Sequence, residues 1–172
     1  MKYFIGLGGN TGNVPDTFNS VINLIGPILE GEVKRSASWY WSRPLPCDYL
    51  SNDESTSLQE KYLNTVIEVE SSLDPYMAMP RLIKLEEYLG RKRIKGFRWG
   101  PRTIDIDIIA CEDFITRSDT LTIPHLRLHE RDFVLVPLKE LEPKWKHPVL
   151  SLTVTEMIHA LPPDARYILN AV

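Results

Sequence analysis

The segment over residues 103–109 constrains the fold more than any other part of the chain. It reads TIDIDII, so isoleucine and aspartate alternate. Successive side chains of a β-strand point to opposite faces, so this pattern predicts a strand over residues 103–110. Three side chains on one face enter the core together: Ile104, Ile106 and Ile108. Asp105 and Asp107 then share the opposite face, with Cα atoms roughly 7 Å apart.

The two aspartates are candidate metal ligands. Neighbouring carboxylates repel each other unless a cation lies between them, and Mg²⁺ prefers one or two carboxylates with water and substrate phosphates completing its shell. Displacement at phosphorus commonly uses two such ions. The alternative interpretation is an exposed strand face with two solvated acids, and the segment alone does not decide between them.

The charge distribution favours a phosphate site. The chain has a formal net charge of −3, yet residues 90–102 (GRKRIKGFRWGPR) hold six basic residues and no acidic one. Without these six, 14 basic residues remain against 23 acidic ones, so the rest of the chain carries −9. Arginines that can bind phosphate oxygens beside acids that can bind metal are complementary halves of a nucleoside-triphosphate site. The acidic segment 48–60 is interpreted as a solvated face.

Hydrophobic periodicity predicts a β-α-β-β-α-β order. Strands are expected over residues 3–7, 33–41, 62–70 and 103–110, with a helix that begins at Pro15 and ends at Gly26-Pro27, and a second from Asp74 to Gly90. A hairpin is expected within residues 114–123, and Thr153 with Glu156 predicts a capping box. This is the split pattern of an α+β, ferredoxin-like sandwich with extra C-terminal elements, in a single domain over residues 1–172.

The other motifs do not indicate a nucleotide-binding loop or a metal site. The segment GLGGNTG (residues 6–12) lacks the third glycine of a dinucleotide fingerprint and is interpreted as a tight turn. His125 and His129 have no third ligand, which makes zinc improbable, and Cys47 with Cys111 has no metal-ligand spacing. The chain has no long apolar run and no signal-peptide core, so we expect no membrane contact and a cytoplasmic location.

Tyr62 and Asn64 project from the polar face of the 62–70 strand. An aromatic ring beside an amide would suit a flat nitrogenous ring. Taken alone, however, the pair is better explained as one surface tyrosine and one surface asparagine. Phe133 is either a second aromatic ring that stacks on such a ligand or part of the core.

Together these residues resemble the 6-hydroxymethyl-7,8-dihydropterin pyrophosphokinase family. The run RWGPRTIDIDI (residues 98–108) is similar to the family signature almost letter for letter, and further similarity extends through GGN (8–10), SWY (38–40), YLN (62–64), IPH (123–125) and RDF (131–133). The resemblance implies a ferredoxin-like fold and transfer of the diphosphate of ATP to the hydroxymethyl group of the dihydropterin, giving AMP.

The resemblance also implies a role for each matching residue. The catalytic residues would be Arg91, Arg102, Asp105 and Asp107, of which Asp105 and Asp107 would hold two Mg²⁺ ions. The ATP-contacting residues would be Glu86, Arg93, Arg98, Arg102, Thr122, His125 and Arg131. The pterin-contacting residues would be Ser42, Leu45, Tyr62, Asn64, Trp99 and Phe133. Three positions carry other residues than the family commonly has: Gly9 in place of Ser, Ser42 of Thr and Arg43 of Pro.

Two other functions compete with this one. An RNA-binding ferredoxin-like domain would use the basic run as its contact surface, but the paired acids would repel phosphate. A sugar-nucleotide transferase could use the same acids for a metal, but 172 residues leave little room for a second substrate subdomain. We therefore expect ATP and a dihydropterin as the small-molecule partners of a monomer that binds no nucleic acid.

Overall fold

The computed structural model describes residues 1–45, 60–92, 100–112 and 114–172. Its strands are β1 (Lys2–Gly9), β2 (Gly31–Ser36), β3 (Tyr40–Ser42), β4 (Tyr62–Ser71), β5 (Asp105–Cys111), β6 (Thr116–Arg117), β7 (Thr122–Ile123) and β8 (Ile168–Ala171). Its α-helices are α1 (Val14–Ile28), α2 (Pro75–Tyr88), α3 (Asp132–Leu141) and α4 (Val154–Ala160), with 3-10 turns at Leu128–Glu130 and Pro163–Ala165. Within these ranges, no helix has the length and apolar character needed to span a lipid bilayer.

Six of these strands form one sheet. Its order is β5-β1-β4-β3-β8, and β2 pairs with β4 beside β3. Every pairing is antiparallel. The prediction of a mixed fold with helices packed on an antiparallel sheet is confirmed. The predicted hairpin is also present, as the separate ribbon of β6 and β7.

The two faces of the sheet bury different cores. On one face, helices α1 and α2 pack against Ile5, Ile67 and the predicted isoleucines of β5, and this confirms the side-chain alternation of that strand. On the other face, α3 and α4 pack against Phe4, Val66 and Ile109. Helices α3 and α4 cover this second face only in part, which leaves the ends of β1, β4 and β5 accessible from that side.

The prediction of one strand over residues 33–41 is wrong. The segment forms two strands, β2 and β3, with residues 37–39 between them. The Thr65 hydroxyl donates to the carbonyls of Ala37 (3.1 Å) and Ser38 (3.2 Å) and takes the place of regular ladder bonds there. Ala37 consequently belongs to the second core, whereas Val33, Trp39 and Trp41 pack against the first.

Other boundaries differ by small amounts. Helix α1 continues through Gly26 and Pro27 to Ile28, since the Leu29 amide still bonds back to Ile25 at 2.9 Å. The capping box of Thr153 and Glu156 is confirmed at the start of α4. Helix α3 and strand β8 were not anticipated from the sequence.

Candidate active site

A cavity of about 610 Å³ lies on the half-covered face of the sheet. Its floor is the end of β1, where Gly8 pairs with Asn64 of β4 on one side and with Asp105 of β5 on the other. Gly6, two residues earlier, pairs with Asp107. Residues two apart on a strand share a face, so both glycines, the amide and both carboxylates line the same cavity. Because the glycines have no side chains, the floor between Asn64 and Asp105 is open.

Two arginines hold Asp105. Arg91 donates to its Oδ1, and Arg102 donates to its Oδ2 at 2.6 Å. Burial raises the pKa of Asp105, but the positive charges of Arg102 and Arg91 outweigh burial and hold that pKa below its ordinary value. Asp105 is therefore a charged carboxylate with both oxygens in ion pairs.

Glu86 supports this cluster from below the cavity. It is 2% exposed, and its Oε1 accepts hydrogen bonds from Arg91 and from the Ile106 amide (2.7 Å). Arg91 thus bridges a carboxylate inside the protein and a carboxylate of the cavity. An arginine that is bound by two carboxylates can release one of them and still be held by the other.

Asp107 differs from Asp105 in its surroundings. Burial, followed by the neighbouring charge of Asp105, raises the pKa of Asp107 to about 7. A cation placed between the two carboxylates would relieve this repulsion. No group of three or more His, Cys, Asp or Glu side chains suited to a metal occurs in the described part of the chain. The donor set is therefore two hard oxygen ligands, which fits Mg²⁺ completed by water and phosphate oxygens.

The end of the cavity next to β4 is lined by aromatic and amide side chains. Asn64 is 6% exposed, and its Nδ2 donates to Ser42 Oγ at 2.9 Å. Its Oδ1 lies 3.4 Å from the place that a Cβ on Gly8 would take, so the amide presents an acceptor above the floor. Tyr62 donates to the Gly100 carbonyl at 3.3 Å, and Phe133 lines the cavity from the start of α3. This end can hold a flat heterocycle whose donor edge meets Asn64.

The remaining wall carries His125 and Arg131. The His125 amide bonds to the Ile109 carbonyl at 2.8 Å, which fixes this residue against β5. Burial, and then the charge of Arg131, lowers the pKa of His125 to about 4. His125 is therefore neutral near pH 7 and able to act as a hydrogen-bond partner.

The structure brings most of the sequence-predicted residues into one place. The cavity lining includes Ser42, Leu45, Tyr62, Asn64, Arg91, Arg102, Asp105, Asp107, His125, Arg131 and Phe133. Glu86 reaches the cavity through Arg91, whereas Thr122 lies on β7 outside the lining. Arg93, Arg98 and Trp99 lie outside the described residues, as do Cys47 and residues 48–59 of the acidic segment.

Sequence reasoning missed several lining residues. Arg43 and Arg127 reach the cavity from segments distant in sequence, and no local pattern pointed to them. Gly6 and Gly8 were interpreted only as parts of a turn. The predicted strand ended at residue 7, whereas β1 continues to Gly9, so the spacing of two that puts both glycines on one face lay partly outside the predicted strand.

Comparisons with known proteins identify the family that this chain resembles. A sequence model described as "7,8-dihydro-6-hydroxymethylpterin-pyrophosphokinase (HPPK)" matches residues 4–143. A Synechocystis protein named 2-amino-4-hydroxy-6-hydroxymethyldihydropteridine pyrophosphokinase is 36% identical over 90% of this chain and 73% of its own length. A Haemophilus influenzae protein of the same name is 33% identical over 80% of this chain and 79% of its own.

Solved structures show the same fold. A crystal structure of Plasmodium falciparum HPPK-DHPS A437G with SDX-DHP superposes with a TM-score of 0.66 at 15% identity and covers 92% of this chain. A structure of HPPK-DHPS in complex with substrates gives a TM-score of 0.63 at 13% identity. This chain spans 45% and 43% of those two chains.

Proposed function

The chain belongs to the 7,8-dihydro-6-hydroxymethylpterin-pyrophosphokinase family, and on that premise we propose that it transfers the β,γ-diphosphate of ATP to its pterin substrate and releases AMP. It is a pyrophosphokinase of folate biosynthesis that acts on 6-hydroxymethyl-7,8-dihydropterin, and its family uses ATP as co-substrate. One observation carries the assignment to this cavity. An aspartate–arginine cluster and an aromatic–amide cluster flank the same glycine floor.

The aspartate–arginine end is assigned to the diphosphate. Asp105 and Asp107 would hold two Mg²⁺ ions, which, when bound, neutralise phosphate charge and lower the repulsion that the attacking hydroxyl meets. Arg91 and Arg102 would then exchange Asp105 for phosphate oxygens, and Glu86 keeps Arg91 in place during that exchange. The attacking oxygen loses its proton during displacement, and either carboxylate is close enough to the floor to receive it.

The ATP side is assigned to residues on the wall beyond the carboxylates. His125 and Arg131 line it directly. Arg93, Arg98 and Thr122 are proposed to contact ATP only because they match the family pattern. Arg131 is a cation at neutral pH, although burial lowers its pKa below the ordinary value. A buried guanidinium beside the cavity supports binding of a polyanion.

The aromatic–amide end is assigned to the pterin ring. Tyr62 and Phe133 would stack on its faces, and the Asn64 carbonyl oxygen would accept from its edge. Ser42 orients Asn64 by accepting from Nδ2. Leu45, which lines the cavity, and Trp99 are assigned to the pterin by their match to the family pattern. Because the Asn64 nitrogen is already bonded inside the protein, the oxygen is the group left to face a ligand.

We also infer the fold arrangement, the oligomeric state and the cellular location of the protein. The order β5-β1-β4-β2 with α1 and α2 on one face supports a ferredoxin-like arrangement within a single domain over residues 1–172. We propose that the protein works as a monomer in the cytoplasm on small molecules and without nucleic acid. Size-exclusion chromatography with light scattering tests the first of these points.

The direct test is a product analysis. The protein is incubated with ATP, Mg²⁺ and 6-hydroxymethyl-7,8-dihydropterin, and nucleotides and pterins are separated by chromatography. We expect AMP and the pterin diphosphate in equal amounts, with neither formed when the pterin is omitted or when EDTA is added. Formation of ADP, or of free phosphate in place of the pterin diphosphate, would contradict the proposed reaction.

A further inference from the structure

The C-terminal segment lies directly behind the pterin end of the cavity. Strand β8 pairs with β3, and Ile168 is the register partner of Ser42, a cavity residue. The family match ends at residue 143, so this segment lies beyond it.

Tyr167, the residue before β8, stands in a column of four side chains in which two arginines flank two neighbouring aromatic rings. The Arg43 guanidinium carbon lies 5.9 Å from the centroid of the Tyr167 ring. The Tyr167 ring meets the Phe133 ring edge to face, with centroids 6.1 Å apart and planes at 73°. The Arg131 guanidinium carbon lies 5.9 Å from the centroid of Phe133. The column therefore runs from the end of β3 to the cavity wall that carries His125 and Arg131. Phe133 has Tyr167 as a neighbour on one side and Arg131 on the other.

Three hydrogen bonds fix the backbone around Tyr167. The Arg43 amide donates to the Tyr167 carbonyl at 2.9 Å, and the Arg43 side chain donates to the Arg166 carbonyl at 2.7 Å. The Ile168 amide donates to Asp132 Oδ2 at 2.9 Å, and Asp132 is 6% exposed. Asp132 immediately precedes Phe133. The backbone of this segment is thus held by the same helix start that carries the cavity aromatic, which places the Tyr167 ring next to the Phe133 ring.

We propose that Tyr167 is a positioning residue for the pterin substrate, acting through Phe133. The inference rests on the proposed function of the cavity. Phe133 alone on one wall could turn about its side-chain bonds, whereas an edge-to-face neighbour favours one ring orientation. An aromatic ring that is already in the stacking orientation before the pterin arrives binds it more tightly, because less side-chain conformational entropy is lost on binding.

The experiment compares Tyr167→Leu, which removes the ring, with Tyr167→Phe, which keeps it. Pterin affinity is measured by fluorescence titration with a non-hydrolysable ATP analogue and Mg²⁺ present, and KM and kcat are measured separately for each substrate. Loss of one edge-to-face pair predicts a rise of about 3- to 10-fold in Kd and KM for the pterin. KM for ATP and kcat should stay within about twofold, and Tyr167→Phe should match the native protein. Tyr88→Leu, at a site 77% exposed on α2, is the control for loss of a tyrosine ring.

A second measurement does not depend on catalysis. In the ligand-free protein, NMR scalar couplings report the χ1 rotamers of Phe133, and we expect one rotamer in the native protein and averaging in Tyr167→Leu. A single rotamer in the variant, or an unchanged pterin Kd, would overturn the proposal. So would a Tyr167→Phe variant as impaired as Tyr167→Leu. Absence of AMP formation by the native protein would instead refute the proposed function, and the rotamer result would still stand by itself.

Discussion

The two faces of strand β5 differ in what their side chains do. On the face toward α1 and α2, Ile104, Ile106 and Ile108 are at most 4% exposed and belong to the larger core. On the other face, Asp105 and Asp107 border the cavity, and the Asp105 side chain is 27% exposed. One face stabilises the fold, and the other carries the carboxylates that we propose supply the chemistry, at alternate positions of one strand. Substitutions on the two faces should therefore separate stability from activity.

The largest effect is expected at the carboxylates. Asp105→Asn keeps an oxygen for Arg102 but removes the charge that would bind Mg²⁺. Bound metal contributes several kcal/mol to stabilisation of charge in the transition state. We expect AMP formation to fall by at least about 1,000-fold, which corresponds to roughly 4 kcal/mol. Steady-state kinetics at saturating Mg²⁺ measure the loss.

Asp107→Asn is the variant to compare with Asp105→Asn, and here both the activity and the Tm are measured. Burial and the charge of Asp105 already oppose ionisation of Asp107, so a neutral amide there should not lower Tm. Activity should nevertheless be lost, as in Asp105→Asn. Native activity in either variant would refute the metal assignment, and unfolding of both would refute the separation of the two faces.

The second effect is expected on the core face of the same strand. Ile106→Ala removes buried methyl groups from a side chain that is 1% exposed, and such changes cost about 3 kcal/mol in the free energy of unfolding. Ile106→Val, which removes one methylene, should cost about 1 kcal/mol. Urea denaturation measures both. The folded enzyme should keep KM and kcat within about twofold, and a large kinetic defect in Ile106→Val would show that the core face also shapes the site.

Local periodicity was sufficient to predict this strand. The alternation in TIDIDII assigned each side chain to its face, and the same argument placed Tyr62 and Asn64 on the cavity side of β4. The basic run just before β5 predicted phosphate-binding arginines beside the aspartates, and in the structure Arg91 and Arg102 lie next to Asp105 and form ion pairs with it. In each case, residues near in sequence or two apart on one strand determined the outcome.

Long-range contacts explain what the sequence did not predict. The break between β2 and β3 depends on the hydroxyl of Thr65, which is 27 and 28 residues away from the carbonyls that it bonds. Arg43 reaches the cavity because the C-terminal segment holds its amide and its side chain. Strand β8 has four residues and is defined by its partner β3, so its own pattern could not reveal it.

The smallest effect tests the floor between the two clusters. Gly8→Ala adds one methyl group on the cavity face, and Ile106→Val removes one from the core face. The new Cβ would lie in ordinary contact with Asn64 Oδ1, at 3.4 Å, so the strand has room for it. Alanine also orders the unfolded chain more than glycine does, and the free energy of unfolding should change by less than about 1 kcal/mol.

Gly8→Ala should weaken pterin binding by more than it changes the free energy of unfolding. The methyl group would cover the acceptor that the pterin edge is proposed to meet, and a buried acceptor without its partner weakens binding. We expect KM for the pterin to rise about 10-fold, equivalent to about 1.4 kcal/mol, with KM for ATP unchanged. Pterin titration and urea denaturation on the same preparations compare the two methyl changes. If Gly8→Ala lowered stability as much as Ile106→Val and left the pterin KM unchanged, the floor would belong to the structural face, and the pterin ring would have to lie elsewhere in the cavity.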